Sequence, residues 1–227
     1  MEERLVEPET PKGLPMCGFC TLPYYQQYFE VTTDEVLRKI FFALTVVWYR
    51  RFRLAAQRVD FYGPFWIYAT MVFSLAASQN LYSFLSRPEH TRFKYTIEYV
   101  PKAFAVIFVF GFLVPVLVNL LLRGFGGGIR YSKVVSIYGY SQCINVLMML
   151  LCAYPNATSQ NFFIAWGAVH SSLFVFLCLK DELVQTAEGN LKFVAVAVMA
   201  SCQLVTVLIY KRYFFGDLYR VDTYYST

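Results

Sequence analysis

Apolar and polar positions alternate along this chain in long blocks. Five runs contain no Asp, Glu, Lys or Arg: Phe65–Leu85, Ala103–Leu122, Val134–Ala153, Phe162–Leu179 and Phe193–Tyr210, each of 18 to 21 residues. As helix, such a run extends roughly 27–31 Å, the thickness of a bilayer's hydrocarbon core. Helices in soluble domains average about 11–12 residues. The pattern predicts an all-α membrane protein, a bundle of five transmembrane helices.

A further helix is predicted ahead of the runs. Thr32 is a capping residue, and Glu35 is its capping-box partner three positions on. From Val36 to Tyr49 the chain is mainly apolar, and Arg50, Arg51 and Arg53 close the segment. Its unbroken part, Ile40–Tyr49, is ten residues, too short to span easily; the other reading is a sixth, tilted span, which would invert the topology. The expectation is an amphipathic helix lying on the membrane, its three arginines facing anionic headgroups. The domain order is then a disordered cytosolic tail over 1–31, an interfacial helix and basic linker over 32–59, a membrane domain over 60–212 and a luminal tail over 213–227.

Composition supports this division. The 227 residues are 57% hydrophobic and only 15% charged, against about 25% charged in soluble domains. The first 30 residues carry no cleavable-signal pattern, so the first run is expected to target the protein and stay in it. The net charge of +5 comes without interleaved basic and aromatic residues, so nucleic acid is not an expected partner. With the amino terminus in the cytosol, that side holds nine flanking Lys and Arg residues and the other side seven. This is a slight lean under the positive-inside rule, and it places the carboxy terminus and the Asn156-Ala157-Thr158 glycosylation pattern in the lumen.

Within the runs the chemistry is sparse. Ser141, Gln142, Asn145, His170 and Gln203 fall at similar depths, forming an intramembrane polar layer. Ser141 and His170 are the types of a nucleophilic pair, yet no oxyanion donor accompanies them. Hydrogen bonding between helices is the simpler use. Cys17-Gly18-Phe19-Cys20 imitates a redox motif without the surrounding strand–helix pattern, and zinc would need two more ligands. No cofactor, metal or enzymatic activity is expected. Lys180–Leu183 spells a retrieval signal but is internal.

The border between basic linker and first run is Asp60-Phe61-Tyr62-Gly63-Pro64. Pro64 suits the first turn of a helix, Gly63 an abrupt turn, and Asp60 the positive end of the helix dipole. These five residues resemble the Asp-Leu-Tyr-Gly-Pro motif of the Yip domain (YIPF) family. Tyr138-Gly139-Tyr140-Ser141 matches that family's second motif, and Tyr24–Ile40 is similar to the segment preceding the domain in one subgroup. Phe61 replaces the usual Leu, and Leu147 stands about where the family has a proline. The resemblance, running from about Tyr24 to Tyr210, implies a multi-pass Golgi or endoplasmic reticulum protein of vesicular traffic. It further implies a non-enzymatic scaffold or membrane receptor for prenylated Rab/Ypt-type GTPases and other Yip-family proteins, with Asp60, Tyr62, Gly63 and Pro64 as partner-binding residues. The alternative from a different class is a small-solute or lipid conduit built around the polar layer; a cavity reaching Gln142 or Gln203 would favour it.

Overall fold

The computed structural model describes residue 26 and residues 28–87, 95–124, 130–186 and 191–212. Most of the expected tail over 1–31, including Cys17–Cys20, lies outside these residues, as do 125–129 and the expected luminal tail from 213 on. Every regular element described is helical.

Helix α1, Thr33–Leu44, starts at Thr32, whose side-chain oxygen accepts the Glu35 N–H at 3.3 Å. The expected continuous helix to Tyr49 is interrupted at Thr45. There the backbone leaves helical angles and the Thr45 hydroxyl donates to the Phe41 carbonyl at 2.8 Å. One 3₁₀ turn, Val46–Trp48, leads into α2, Tyr49–Ala55. Three β-branched residues in succession, Thr45 to Val47, disfavour helix continuation, and the back-bonding hydroxyl bends it further.

The long helices follow: α3 Tyr62–Leu85, α4 Tyr99–Gly124, α5 Tyr131–Ser141, α6 Cys143–Leu151, α7 Ala157–Thr186 and α8 Leu191–Tyr210. By length and composition three segments are apolar enough to cross a membrane: Tyr99–Leu121, Tyr131–Leu151 and Ala157–Asp181. The two other expected spans fall on α3 and α8, which both form. In α3 the buried Ser74, Ser78, Gln79 and Asn80 dilute the hydropathy. In α8 the apolar stretch among described residues is Ser201–Tyr210.

The expected third span is two helices. At Gln142 the ladder tightens: its N–H bonds the Gly139 carbonyl at 3.2 Å, and the Ser141 hydroxyl donates to the Tyr138 carbonyl at 2.6 Å. The break needs no proline. Side chains that compete for backbone carbonyls, together with i→i+3 bonding, suffice. This broken helix is the centre of the bundle: 72% of its most apolar window is buried, against 33% and 39% for the two other candidate spans. Helices α3, α4 and α7 surround it. Phe104, Phe112 and Leu120 of α4, and Phe162, Trp166 and Leu173 of α7, are exposed on the outside. Apolar faces this continuous suit lipid. Helix α1 packs on α3, α5 and α6, and α2 packs on α7, so the amino-terminal helices clasp the bundle. Two Asn side chains fix the connections. Asn80 bonds both backbone groups of Thr96, and Asn156, the first residue of the glycosylation pattern, caps α7 through the Thr158 N–H at 2.9 Å.

Candidate functional site

The three stretches that carry the family resemblance lie far apart in the chain and meet at one place. Asp60 is completely buried. Its Oδ1 accepts the Gly63 N–H and the Tyr140 hydroxyl, each at 3.0 Å, while its Oδ2 pairs with the Lys39 ammonium. Lys39, 2% exposed, also donates to the Arg58 carbonyl at 2.9 Å. Each polar group in this cluster therefore has a partner, as burial of a charge pair requires. The bond to Gly63 satisfies one of the amide groups that the first turn of α3 leaves open, and Pro64 has none to satisfy.

Packing locks the same junction. A Cβ on Gly63 would collide with the Tyr140 ring, and one on Gly139 would meet Pro64 Cγ at 2.8 Å and Pro64 Cα at 3.1 Å. Both glycines are there for close approach of α3 and α5. Phe61 stacks on Tyr28, with centroids 4.6 Å apart, and its N–H bonds the Tyr28 carbonyl at 2.9 Å. The segment ahead of the domain, the first motif and the second motif thus form one interlocked unit.

Of the residues expected to bind a partner, Asp60, Gly63 and Pro64 are buried in this unit, and Tyr62 is 40% exposed. Tyr62 stands beside Trp66, 6.2 Å between ring centroids, and Trp66 with Gly63 lines an apolar groove of about 260 Å³. Val36, Ile40 and Leu44 of α1, Trp66 and Ile67 of α3, and Cys143, Val146 and Leu147 of α6 line that groove. Arg50 and Arg51 are exposed, Arg51 lying 4.6 Å over the Trp48 ring, whereas Arg53 pairs with Asp181 of α7.

The expected polar layer divides. Gln142 Nε2 donates to Ser141 Oγ at 3.3 Å and reaches Gln203 Oε1 at a long 3.5 Å, and Asn145 donates to Gln142 Oε1 at 2.7 Å. Ser141, Gln142, Asn145 and Gln203 therefore form one buried network joining α5, α6 and α8. His170 stands apart: its Nε2 lies 3.1 Å from the Leu44 carbonyl at the end of α1. The hydrogen bonds of Ser141 and His170 go to different partners, which is not the arrangement of a nucleophilic pair. Among the described residues no group of three metal-ligating side chains gathers.

Lys39 and Tyr140 are the participants that the sequence reading missed. Lys39 shares the apolar face of α1 with Val36 and Ala43, at helical spacing. A cation on that face was the available signal. Tyr140 lay inside the second motif, but nothing local marked its hydroxyl as Asp60's partner.

Comparison with known proteins matches residues 47–210 to the family described as the Yip1 domain. A protein from Dictyostelium discoideum named "Protein YIPF1 homolog" is 27% identical over 204 residues, covering 88% of this chain and 57% of that protein. The chain thus spans little more than half the length of this curated relative. No solved structure matches.

Proposed function

The chain belongs to the Yip1 domain family, and from that premise we propose that it serves vesicular traffic in the early secretory pathway as a non-enzymatic membrane scaffold. Its partner in this reading is a prenylated Rab-type GTPase, joined by other Yip-family proteins. Five helices cross the Golgi or endoplasmic reticulum membrane, with the amino terminus in the cytosol and the carboxy terminus in the lumen.

The observation that carries the reading is the apolar groove bordered by the first motif. A groove walled by Val36, Ile40, Leu44, Trp66 and Ile67 offers a prenyl chain an apolar lodging. Next to Trp66, Tyr62 presents a ring and a hydroxyl to the protein part of the partner, as interface tyrosines do. Asp60, Gly63 and Pro64 contribute by fixing the turn from which Tyr62 projects. The conduit reading draws less support. Gln142 and Gln203 are 1% and 2% exposed, and Gln142 bonds within the layer rather than facing a cavity.

The test uses the full chain in lipid nanodiscs and a geranylgeranylated Rab-type GTPase. Tyr62→Ala should weaken capture about tenfold or more, the loss typical of an aromatic anchor, while the unfolding midpoint stays put. Capture should also fail with the unprenylated GTPase. Equal capture by the folded Tyr62→Ala protein removes the assignment.

A further inference from the structure

A second cleft, of about 370 Å³, lies where the candidate span Tyr131–Leu151 begins and Ala157–Asp181 ends. It is lined by Tyr49, Arg50 and Arg53 of α2, Lys133 of α5, and Lys180 and Asp181 of α7, with Leu54 and Gln57 completing the wall. We propose that this cleft binds a phosphate-bearing anion of the phosphorylated-inositol type.

Charge is the first argument. Among the described residues that line the cleft, four are cationic and one, Asp181, is a carboxylate already paired with Arg53. A cleft in which Arg50 and Lys180 are hydrogen-bonded to a phenol rather than to a carboxylate gains from a multiply charged anion. Preorganisation is the second. The Lys180 ammonium donates to the Tyr49 hydroxyl at 2.8 Å and sits 4.8 Å from the centre of its ring, and Arg50 Nε reaches the same oxygen at 3.3 Å. Asp181 holds Arg53. The donors stand ready on three different helices, which spares ordering cost on binding. The Tyr49 phenol is correspondingly held below its usual value, first by the Lys180 hydrogen bond and then by Arg50. Size is the third, since the volume falls within the range of small-molecule pockets, about 300–1,000 Å³. Position is the fourth: the cleft opens at a margin of the spans, where a lipid headgroup lies. This goes beyond the general attraction of Arg50, Arg51 and Arg53 to a charged surface, because Lys133 and Lys180 make it concave. It does not depend on the GTPase reading.

The phosphate could reach the cleft on a lipid or on a soluble inositol phosphate, and two arms separate these sources. In one, the full chain in phosphatidylcholine nanodiscs is titrated with soluble inositol 1,4-bisphosphate. In the other, nanodiscs doped with phosphatidylinositol 4-phosphate are used and retained lipid is counted by native mass spectrometry. Binding in the lipid arm alone assigns a membrane headgroup; equal binding in both assigns the phosphorylated head itself. The Arg50→Gln/Lys133→Gln double variant should lose at least about tenfold in affinity, the scale of lost charge-assisted hydrogen bonds. Lys102→Gln, outside the cleft, should lose none. Asp181→Asn removes the opposing carboxylate and should tighten binding several-fold, a gain that misfolding would not produce. No binding in either arm overturns the proposal. So does an equal loss with Lys102→Gln, or an unchanged affinity in the double variant.

Discussion

Lys39 shows how one side chain governs the junction. It occupies the inner face of α1 between Val36 and Ala43, where an apolar residue would serve burial better. Its ammonium is tolerated because Asp60 and the Arg58 carbonyl receive it. Removing one partner of such a pair strands the other in a dry place. Asp60→Asn should therefore lower stability by about 3–5 kcal/mol, the usual loss when a buried pair is broken from one side. Lys39→Met combined with Asp60→Asn should lose clearly less than the sum of the two single changes, because no unpaired charge is left behind. Chemical unfolding of the four proteins in detergent measures this cycle; additive losses would mean the two groups do not act as a pair. Asp60 was visible in the sequence as a carboxylate at a helix start, and that much of its role is local. Its second and third partners, Tyr140 and Lys39, lie 80 and 21 residues away, so no window of sequence contained them.

Whole helices were easier to foresee than their interruptions. The five charge-free runs all became helices because apolar periodicity and length are properties of a single segment. The break at Gln142 was not foreseen. Ser141 and Gln142 bend the helix through bonds to its own carbonyls and to each other, and neither residue type is a helix breaker in isolation. The seam between α3 and α5 likewise shows in sequence only as glycines, whose use appears once the facing helix is known. Gly139→Ala should destabilise by about 1–3 kcal/mol, because the new methyl meets Pro64, including its backbone Cα, which a rotamer change does not move. Gly124→Ala provides the contrast. A Cβ there has nothing within 4 Å, so the change should be neutral or add up to about 1 kcal/mol through helix propensity. Thermal unfolding of both variants reads the difference. Equal midpoints would mean that the seam has room to relax.

For the molecule as a whole, the question is how many helices cross the membrane. Three segments qualify on hydropathy alone, and α3 falls short because its inner face includes Ser74, Ser78, Gln79 and Asn80. Hydropathy averages over both faces of a helix, whereas the bilayer meets only the outer one. On α3 that outer face carries Phe65, Trp66, Phe73, Leu81 and Phe84, all exposed, a surface that water would penalise. Ser78 and Asn80 instead lie inside the bundle. A five-crossing arrangement therefore predicts that Ile97→Cys, in the connection before α4, faces the side opposite the amino terminus, and that Arg130→Cys faces the same side as the amino terminus. A carboxy-terminal tag should appear with Ile97→Cys. Sealed vesicles treated with a membrane-impermeant maleimide, and protease protection of tags at both ends, read all four positions. If α3 does not cross, Ile97→Cys and the amino-terminal tag share a side and Arg130→Cys changes places. If α8 does not cross, only the carboxy-terminal tag moves. Tags at the two ends alone would not separate five crossings from three, since both numbers are odd, so the two internal positions carry the decision.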